Sequence, residues 1–259
     1  MTRFRSANAA VGQFIKKARI AGMSSYDKVG RFYDAAMGDR RETAAHVRRL
    51  VRQHKPKART LLELACGTGG ILQILARSYD VTGLDVSSQM LSIARKKLPG
   101  VKFFKRNMLT FALGRKFDVI ICMFDSINHV LKFAGWKKIF RNAARHLEDD
   151  GLFLFDINTE TKLKRLIDEP TRVHKFGRNL EFINVTGRRQ GIVNWNLRIF
   201  QYQRRNSYRV FEENIKETSF PVNKIRAALR KQFSHVKVMD LSERRPLAQS
   251  ERLYFVCKR

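Results

Sequence analysis

Glu63-Leu64-Ala65-Cys66-Gly67-Thr68-Gly69 has the form acid-x-small-x-Gly-x-Gly at the end of a short apolar run. Glycines at such a turn let the backbone approach a ligand closely and set it at a helix N-terminus. Asp85 ends the next apolar run, 18 residues after Gly67, where a carboxylate can take both hydroxyls of a ribose. Together they point to a nucleoside-containing cofactor. The glycines stand at the third, fifth and sixth places of Ala65–Gly70. That is not the GxGxxG turn of nicotinamide enzymes, and no Walker lysine follows. His129 lies past a third apolar run, Lys116–Met123; an imidazole with an ordinary pKa of about 6.5 can take a proton from a nucleophile there. Asp125, Asp156 and Asn158 are three oxygen ligands that could hold Mg2+. Ile157 separates the last two, which puts both on one face of a strand. We expect no metal.

These residues need strand ends and helix starts to hold them, and the sequence supplies both. Thr60–Ala65, Asp80–Asp85, Val101–Lys105, Lys116–Met123 and Gly151–Asp156 read as strands, the fourth buried on both faces. Ile71–Ser78, Ser87–Lys97 and Ala134–Leu147 read as helices, the second capped by Ser87 or Ser88 and the third stopped by a turn at Glu148–Gly151. The alternation predicts a parallel sheet with helices on both faces. After Asn158 the pattern changes. Val173–Phe176, Leu180–Val185, Ile192–Gln203 and Tyr208–Glu217 are rich in aromatic and β-branched residues, separated by Gly- and Arg-containing turns; they predict an inserted antiparallel sheet. A Pro221-initiated helix to Phe233 and strands His235–Leu241 and Arg252–Cys257 predict a final hairpin that completes the main sheet. The expected division is a basic, helical extension over 1–25, an α/β core over 26–158, the insertion over 159–220 and the closing segment 221–259.

The chain has 259 residues and 44% apolar content, enough for a sizeable core. No run approaches the roughly 20 apolar residues of a membrane helix. Three scattered cysteines fit free thiols in a reducing compartment, not a disulfide framework or zinc site; a cytoplasmic location is expected. The net charge is +29, distributed as +11 over residues 1–60, +4 over 61–160 and +14 over 161–259. The balanced middle carries the glycine turn, and the cationic flanks favour anionic partners.

The strings LLELACGTG (61–69), VTGLDVSSQMLSIARKK (81–97), KFDVIICMFDSINHV (116–130) and HLEDDGLFLFDIN (146–158) resemble the class I S-adenosylmethionine-dependent methyltransferases, over about Tyr26 to Arg259. The resemblance implies a Rossmann-like α/β fold: a mostly parallel sheet with an antiparallel terminal strand and a small inserted antiparallel β subdomain. It implies S-adenosylmethionine as cofactor and S-adenosylhomocysteine as product. Ala65, Gly67 and Gly69 would line the methionine moiety, with Glu63 supporting the turn. Asp85 would hold the ribose, with Val86 and Met90 packing on the adenine. Asn107 would accept from the adenine amino group through its amide oxygen, where many relatives carry Asp, and Met108 would offer a backbone N–H. Met123 is expected among the cofactor contacts. Within the superfamily the chain is most similar to small-molecule N-methyltransferases of the nucleotide-sugar amine type, through RFYD, CMFDSINHV and RLYFV. Their active-site Tyr and His fall on Tyr33 and His129.

The expected reaction is in-line methyl transfer to a small-molecule acceptor, an amine nitrogen, with His129 as base and Tyr33 as orienting group. Two other classes compete. The cationic flanks, and Phe182, Trp195, Phe200, Tyr202 and Tyr208 interleaved with Arg188, Arg189, Arg198, Arg204 and Arg205, could bind RNA or another polyanion. A non-catalytic cofactor-binding interaction protein is the third reading, disfavoured by the intact glycine turn, Asp85 and His129.

Overall fold

The computed structural model describes residues 26, 28–187, 191–205 and 207–259. The basic stretch 1–25, and Arg188 and Arg189, lie outside the described residues.

A 3-10 turn over Gly30–Phe32 leads into α1 (Tyr33–Met37) and α2 (Arg41–His54). The α/β alternation then runs β1 (Thr60–Leu64), α3 (Gly70–Leu75), β2 (Asp80–Asp85), α4 (Ser88–Lys97), β3 (Lys102–Lys105), β4 (Phe117–Cys122), α5 (Phe133–His146) and β5 (Leu147–Asn158). Helix α6 (Glu160–Ile167) precedes a meander of β6 (Arg172–Phe176), β7 (Asn179–Gly187), β8 (Val193–Tyr202) and β9 (Tyr208–Glu217). Helix α7 (Val222–Leu229), β10 (His235–Met239) and β11 (Arg252–Lys258) follow.

The main sheet has the order β10-β11-β5-β4-β1-β2-β3. Only β11 runs against its neighbours, pairing Tyr254 with Asp156 and Phe255 with Phe155. This is the mostly parallel, Rossmann-like sheet with one antiparallel strand late in the chain that the sequence led us to expect. Its apolar strands are buried on both faces, which explains their unbroken hydrophobic runs. Leu62, Leu64, Phe153 and Phe155 face α5 and α7, while Leu61, Leu152 and Leu154 face α2 and α3. The order in which strands are added reverses at β1, which lies between β4 and β2, the place where sheets of this kind open a ligand crevice at their strand ends.

Three local readings are corrected. Glu148–Gly151 is not a separate turn. It lies inside β5, whose pairing jumps from Phe117–Leu147 to Val119–Leu152, so the extra residues are absorbed as a bulge. The segment 159–220 opens with a helix, α6, whose Thr159 cap accepts from Lys162 N–H and whose Leu163 and Leu166 pack on Val185 and Val193. The helix begun at Pro221 ends at Leu229, short of Phe233. The meander forms a separate four-stranded antiparallel sheet, order β6-β7-β8-β9. Trp195 faces inward toward α6, whereas Phe182 and Phe200 pack together in a hollow of the opposite face shared with Glu212 and Glu213.

Candidate active site

The glycine turn after β1 is built on left-handed backbone. Ala65, Gly67 and Gly69 have φ of 54°, 53° and 74°. At Gly69 a Cβ would sit 3.3 Å from Ala94 Cβ, so glycine serves close packing as well as conformation. A Cβ at Gly67 would meet nothing within 4 Å: this backbone faces open space. Asp85, at the end of β2, reaches across to the turn. Its Oδ2 accepts from Gly67 N–H at 2.9 Å and its Oδ1 from Ser87 N–H at 2.8 Å. The carboxylate therefore fixes the turn and the start of α4 together, and a carboxylate has further lone pairs for hydroxyl donors.

A cavity of about 200 Å3 opens over this turn. Of the residues singled out in the sequence it gathers Ala65, Gly67, Asp85, Val86, Met90, Met108, Tyr33 and His129. It does not gather four others. Glu63 is buried beneath the turn, where desolvation, and then Asp85, push its carboxyl well above the usual range. Gly69 caps α3. Asn107 is exposed, and its Oδ1 accepts from Leu109 N–H at 2.9 Å. Met123 packs in the core; the next residue, Phe124, turns out at φ 57° and lines the cavity instead.

Beyond Tyr26, Tyr33 and Phe124, which form a common wall, lies a second cavity of about 260 Å3. Asp125 from the loop after β4 and Asn158 and Arg252 from the main sheet line one side; Glu181, Trp195 and Glu217 from the inserted sheet line the other.

Asn128 holds the β4 loop between the two sheets. It is fully buried; its Nδ2 donates to the carbonyls of Asn158 and Thr218 at 2.9 and 2.8 Å, and its Oδ1 accepts from Asn158 N–H at 3.1 Å. His129, next in the chain, is thereby set against the end of β9. Its Nδ1 lies 3.3 Å from the Lys216 carbonyl. A carbonyl can only accept, so Nδ1 carries the proton and Nε2 the lone pair. The Tyr26 hydroxyl is 3.5 Å from Nε2. Burial lowers the His129 pKa, which favours the neutral imidazole.

The Asp125–Asp156–Asn158 group is built around a guanidinium. Arg252 Nη1 donates to Asp156 Oδ2 at 2.5 Å; its Nη2 donates to Asp125 Oδ1 at 2.5 Å and Asn158 Oδ1 at 3.2 Å. The Asp125 N–H also donates to the Asp156 carboxylate at 3.2 Å. These bonds hold Phe124 and Asp125 in consecutive left-handed conformations, φ 57° and 48°, a strain of about 1–3 kcal/mol each. Asp125, His129 and Glu217 bring one ligand atom each within 4.8 Å of one another, so a metal could be held there. The donor set suits one poorly: Asp125 is already bonded to Arg252, and burial, then Asp125, push the Glu217 carboxyl well above the usual range, toward its protonated form.

Sequence reasoning missed Tyr26, Phe124, Glu217 and Arg252 as site residues. Phe124 follows a named strand; the others come from segments far away in the chain.

Residues 61–151 match a family model described as a methyltransferase domain. A dTDP-3-amino-3,6-dideoxy-alpha-D-glucopyranose N,N-dimethyltransferase of Streptomyces fradiae is 40% identical over 119 residues, 46% of this chain and 47% of that protein. The chain thus matches about half the length of that relative. Among solved structures, an S-adenosylmethionine-dependent methyltransferase from Clostridium acetobutylicum superposes with a TM-score of 0.77 at 23% identity, covering 90% of this chain and 95% of that one. The sugar N-methyltransferase KedS8 from a Streptoalloteichus species superposes with a TM-score of 0.75 at 26% identity, over 88% and 92% of the two chains.

Proposed function

We propose that this chain transfers a methyl group from S-adenosylmethionine to an amine nitrogen of a small molecule, taking the methyltransferase-domain match and the likeness to amino-sugar methyltransferases as premise. The observation that carries the reading is the pair of cavities sharing Tyr26, Tyr33 and Phe124, with His129 in the first and Asp125 and Glu217 beside it in the second.

The first cavity fits the cofactor. Asp85 would hold the ribose; Val86, Met90 and Met108 would border the adenine; Ala65 and the open Gly67 backbone would receive the methionine end. When bound, the cofactor supplies a methyl group already activated on a sulfonium. The chain's own work is to bind, orient and deprotonate the acceptor. An amine arrives as an ammonium, and the oxygens of Asp125 and of the protonation-prone Glu217 offer acceptors for its N–H groups. Its proton passes to His129 Nε2, leaving the nitrogen lone pair toward the shared wall; Tyr33 orients it. Lys216 O then stabilises the imidazolium by accepting from Nδ1. Lys162, Arg172 and Arg252 in the same cavity suit an acceptor that also carries anionic groups, and an amino sugar on a nucleotide combines both charges. The inserted sheet supplies much of this wall and would set acceptor choice. The three buried thiols, Cys66, Cys122 and Cys257, fit a cytoplasmic location.

The test is transfer of a radiolabelled methyl group from the cofactor to amines, nucleotide-linked amino sugars, hydroxylated analogues and total RNA. Turnover is expected on the amines and not on the hydroxyl analogues. Turnover on RNA alone would overturn the acceptor class.

A further inference from the structure

We propose that the turn end of the inserted sheet is a binding surface for single-stranded RNA, distinct from both cavities and independent of the methyl-transfer reading. The net charge of +29 is a property that the two cavities leave largely without a use. Part of that charge is concentrated at one end of the β6–β9 meander, where the segments 172–180 and 198–211 contain no acidic residue. The β6–β7 and β8–β9 turns lie side by side there, because Leu180 pairs with Phe200. Asn179 ties them together: its Oδ1 accepts from Tyr202 N–H at 3.0 Å. The turns present Arg178, Arg204, Arg205 and Arg209, all exposed and none in an ion pair among the described residues. Arg205 holds a left-handed φ of 51°, a conformation uncommon for a long side chain. Like charges crowded into two short turns repel one another, and a polyanion relieves that repulsion.

Charge alone suits any polyanion; the rings beside it narrow the class. Tyr202 and Tyr208 are paired across β8 and β9, their ring centroids 5.6 Å apart and their planes nearly perpendicular. Tyr208 is 42% exposed, and the Arg178 guanidinium lies 3.6 Å from the Tyr202 centroid. Aromatic and guanidinium planes beside a row of cations are what unpaired bases stack on while their phosphates follow the charges. A duplex keeps its base faces inside the stack, and unpaired bases are what RNA loops and ends present. The inward rings take no part: Trp195 packs toward α6, and Phe211 packs with Phe32. A second copy of the chain is a poor occupant, since it would bring one cationic edge against another. None of these arginines and tyrosines lines either cavity, so the bound strand is held outside the active site and is not the methyl acceptor.

The experiment titrates the full chain into a fluorescein-labelled oligouridylate of about 12 nucleotides and follows its anisotropy between about 50 and 200 mM KCl. Two triple variants with equal loss of charge are compared. One carries Arg178→Gln, Arg204→Gln and Arg205→Gln at the turns; the other carries Lys137→Gln, Lys138→Gln and Arg141→Gln on the exposed face of α5. Each phosphate contact to a single strand contributes about −0.7 to the slope of log affinity against log salt. The turn variant should therefore flatten the slope by about 2, so that the wild type loses about 20-fold more affinity than the variant across this salt range. The α5 variant should keep the wild-type slope. Tyr208→Ala should weaken binding about 5- to 150-fold at fixed salt and leave the slope unchanged, as the loss of one stacked base does. An oligouridylate–oligoadenylate duplex of the same length should bind more weakly than the single strand. Thermal unfolding monitors folding; should the turn variant not fold, Tyr208→Ala and the duplex comparison still decide. Equal flattening by both triple variants would make the charge a diffuse property of the surface and overturn the assignment. So would tighter binding of the duplex or of oligothymidylate, binding of phosphatidylserine vesicles in place of the oligouridylate, or self-association through the turns without RNA binding.

Discussion

Replacing Arg252 by Met tests the charge balance of the second cavity. The wild-type guanidinium makes three contacts, at 2.5, 2.5 and 3.2 Å, to Asp156, Asp125 and Asn158. The Asp156 side chain is wholly inaccessible and that of Asp125 is 15% accessible. Removing one partner from such a buried group costs about 3–5 kcal/mol, because the remaining charges are left uncompensated. Lys162, which donates to Asn158 Oδ1 at 2.8 Å, can offset part of this, so the lower end of that range is expected near pH 8. The loss should depend on pH. Burial already pushes the Asp156 carboxyl up to about 6, with Arg252 pulling against it; without Arg252 it must rise further. A carboxyl raised in the folded state contributes stability that is present below its unfolded pKa of about 3.9 and is lost as pH rises through the folded value. The variant should therefore approach the wild type as pH falls from 8 to 5, since its extra upward shift is relieved by protonation. Urea unfolding at several pH values, at constant m, measures this. Adding Asp156→Asn should recover part of the stability at pH 8. A loss under about 1 kcal/mol, or one constant across that range, would refute the view that Arg252 neutralises buried carboxylates.

Asp85→Ala should weaken S-adenosylmethionine and S-adenosylhomocysteine alike by about 1.5–3 kcal/mol; unchanged calorimetric affinity for both would remove Asp85 from the site. His129→Ala should lower kcat by about 10²–10⁴ with cofactor affinity retained. Because burial lowers the His129 pKa, the wild-type rate should rise with pH along a limb centred below about 6.5 and be on its plateau at pH 7.5; wild-type kcat with an unshifted limb in the variant would end its role as base. Exhaustive chelation should leave methyl transfer unchanged, whereas a loss restored by Mg2+ would assign Asp125, His129 and Glu217 to a metal.

The parts of the site legible in the sequence are those carried by local order. The glycine turn and Asp85 lie 18 residues apart across one strand–helix–strand unit, and the hydrophobic runs fix both strand ends. His129 was legible because it closely follows a named strand. Side chains that meet through distant pairing were not. Arg252 reaches Asp125 across 127 residues because β11 enters antiparallel beside β5; no periodicity encodes that register. The three oxygen ligands could therefore be grouped, but not the guanidinium between them, which left Mg2+ as an alternative. Met123 was expected through the resemblance alone; Phe124 lines the cavity instead because its left-handed backbone just past the strand turns its side chain outward, which no local pattern announces. Helix α6 was missed because eight residues beside a long β meander carry too few turns to outweigh it.

The position of β11 also bears on how the protein is made. Strands β1 to β5 are complete by residue 158, but the strand between β5 and β10 is added at residues 252–258. On the ribosome, the nascent sheet would carry Asp125 and Asp156 for nearly a hundred residues before their cation is synthesised. Until then β5 is an unpaired edge rich in phenylalanine, the kind of surface that aggregates or recruits chaperones. Closing it requires contacts of long sequence separation, which slow folding. Expression at low temperature, or a circular permutation that brings residues 235–258 ahead of β1, should therefore raise the yield of folded protein.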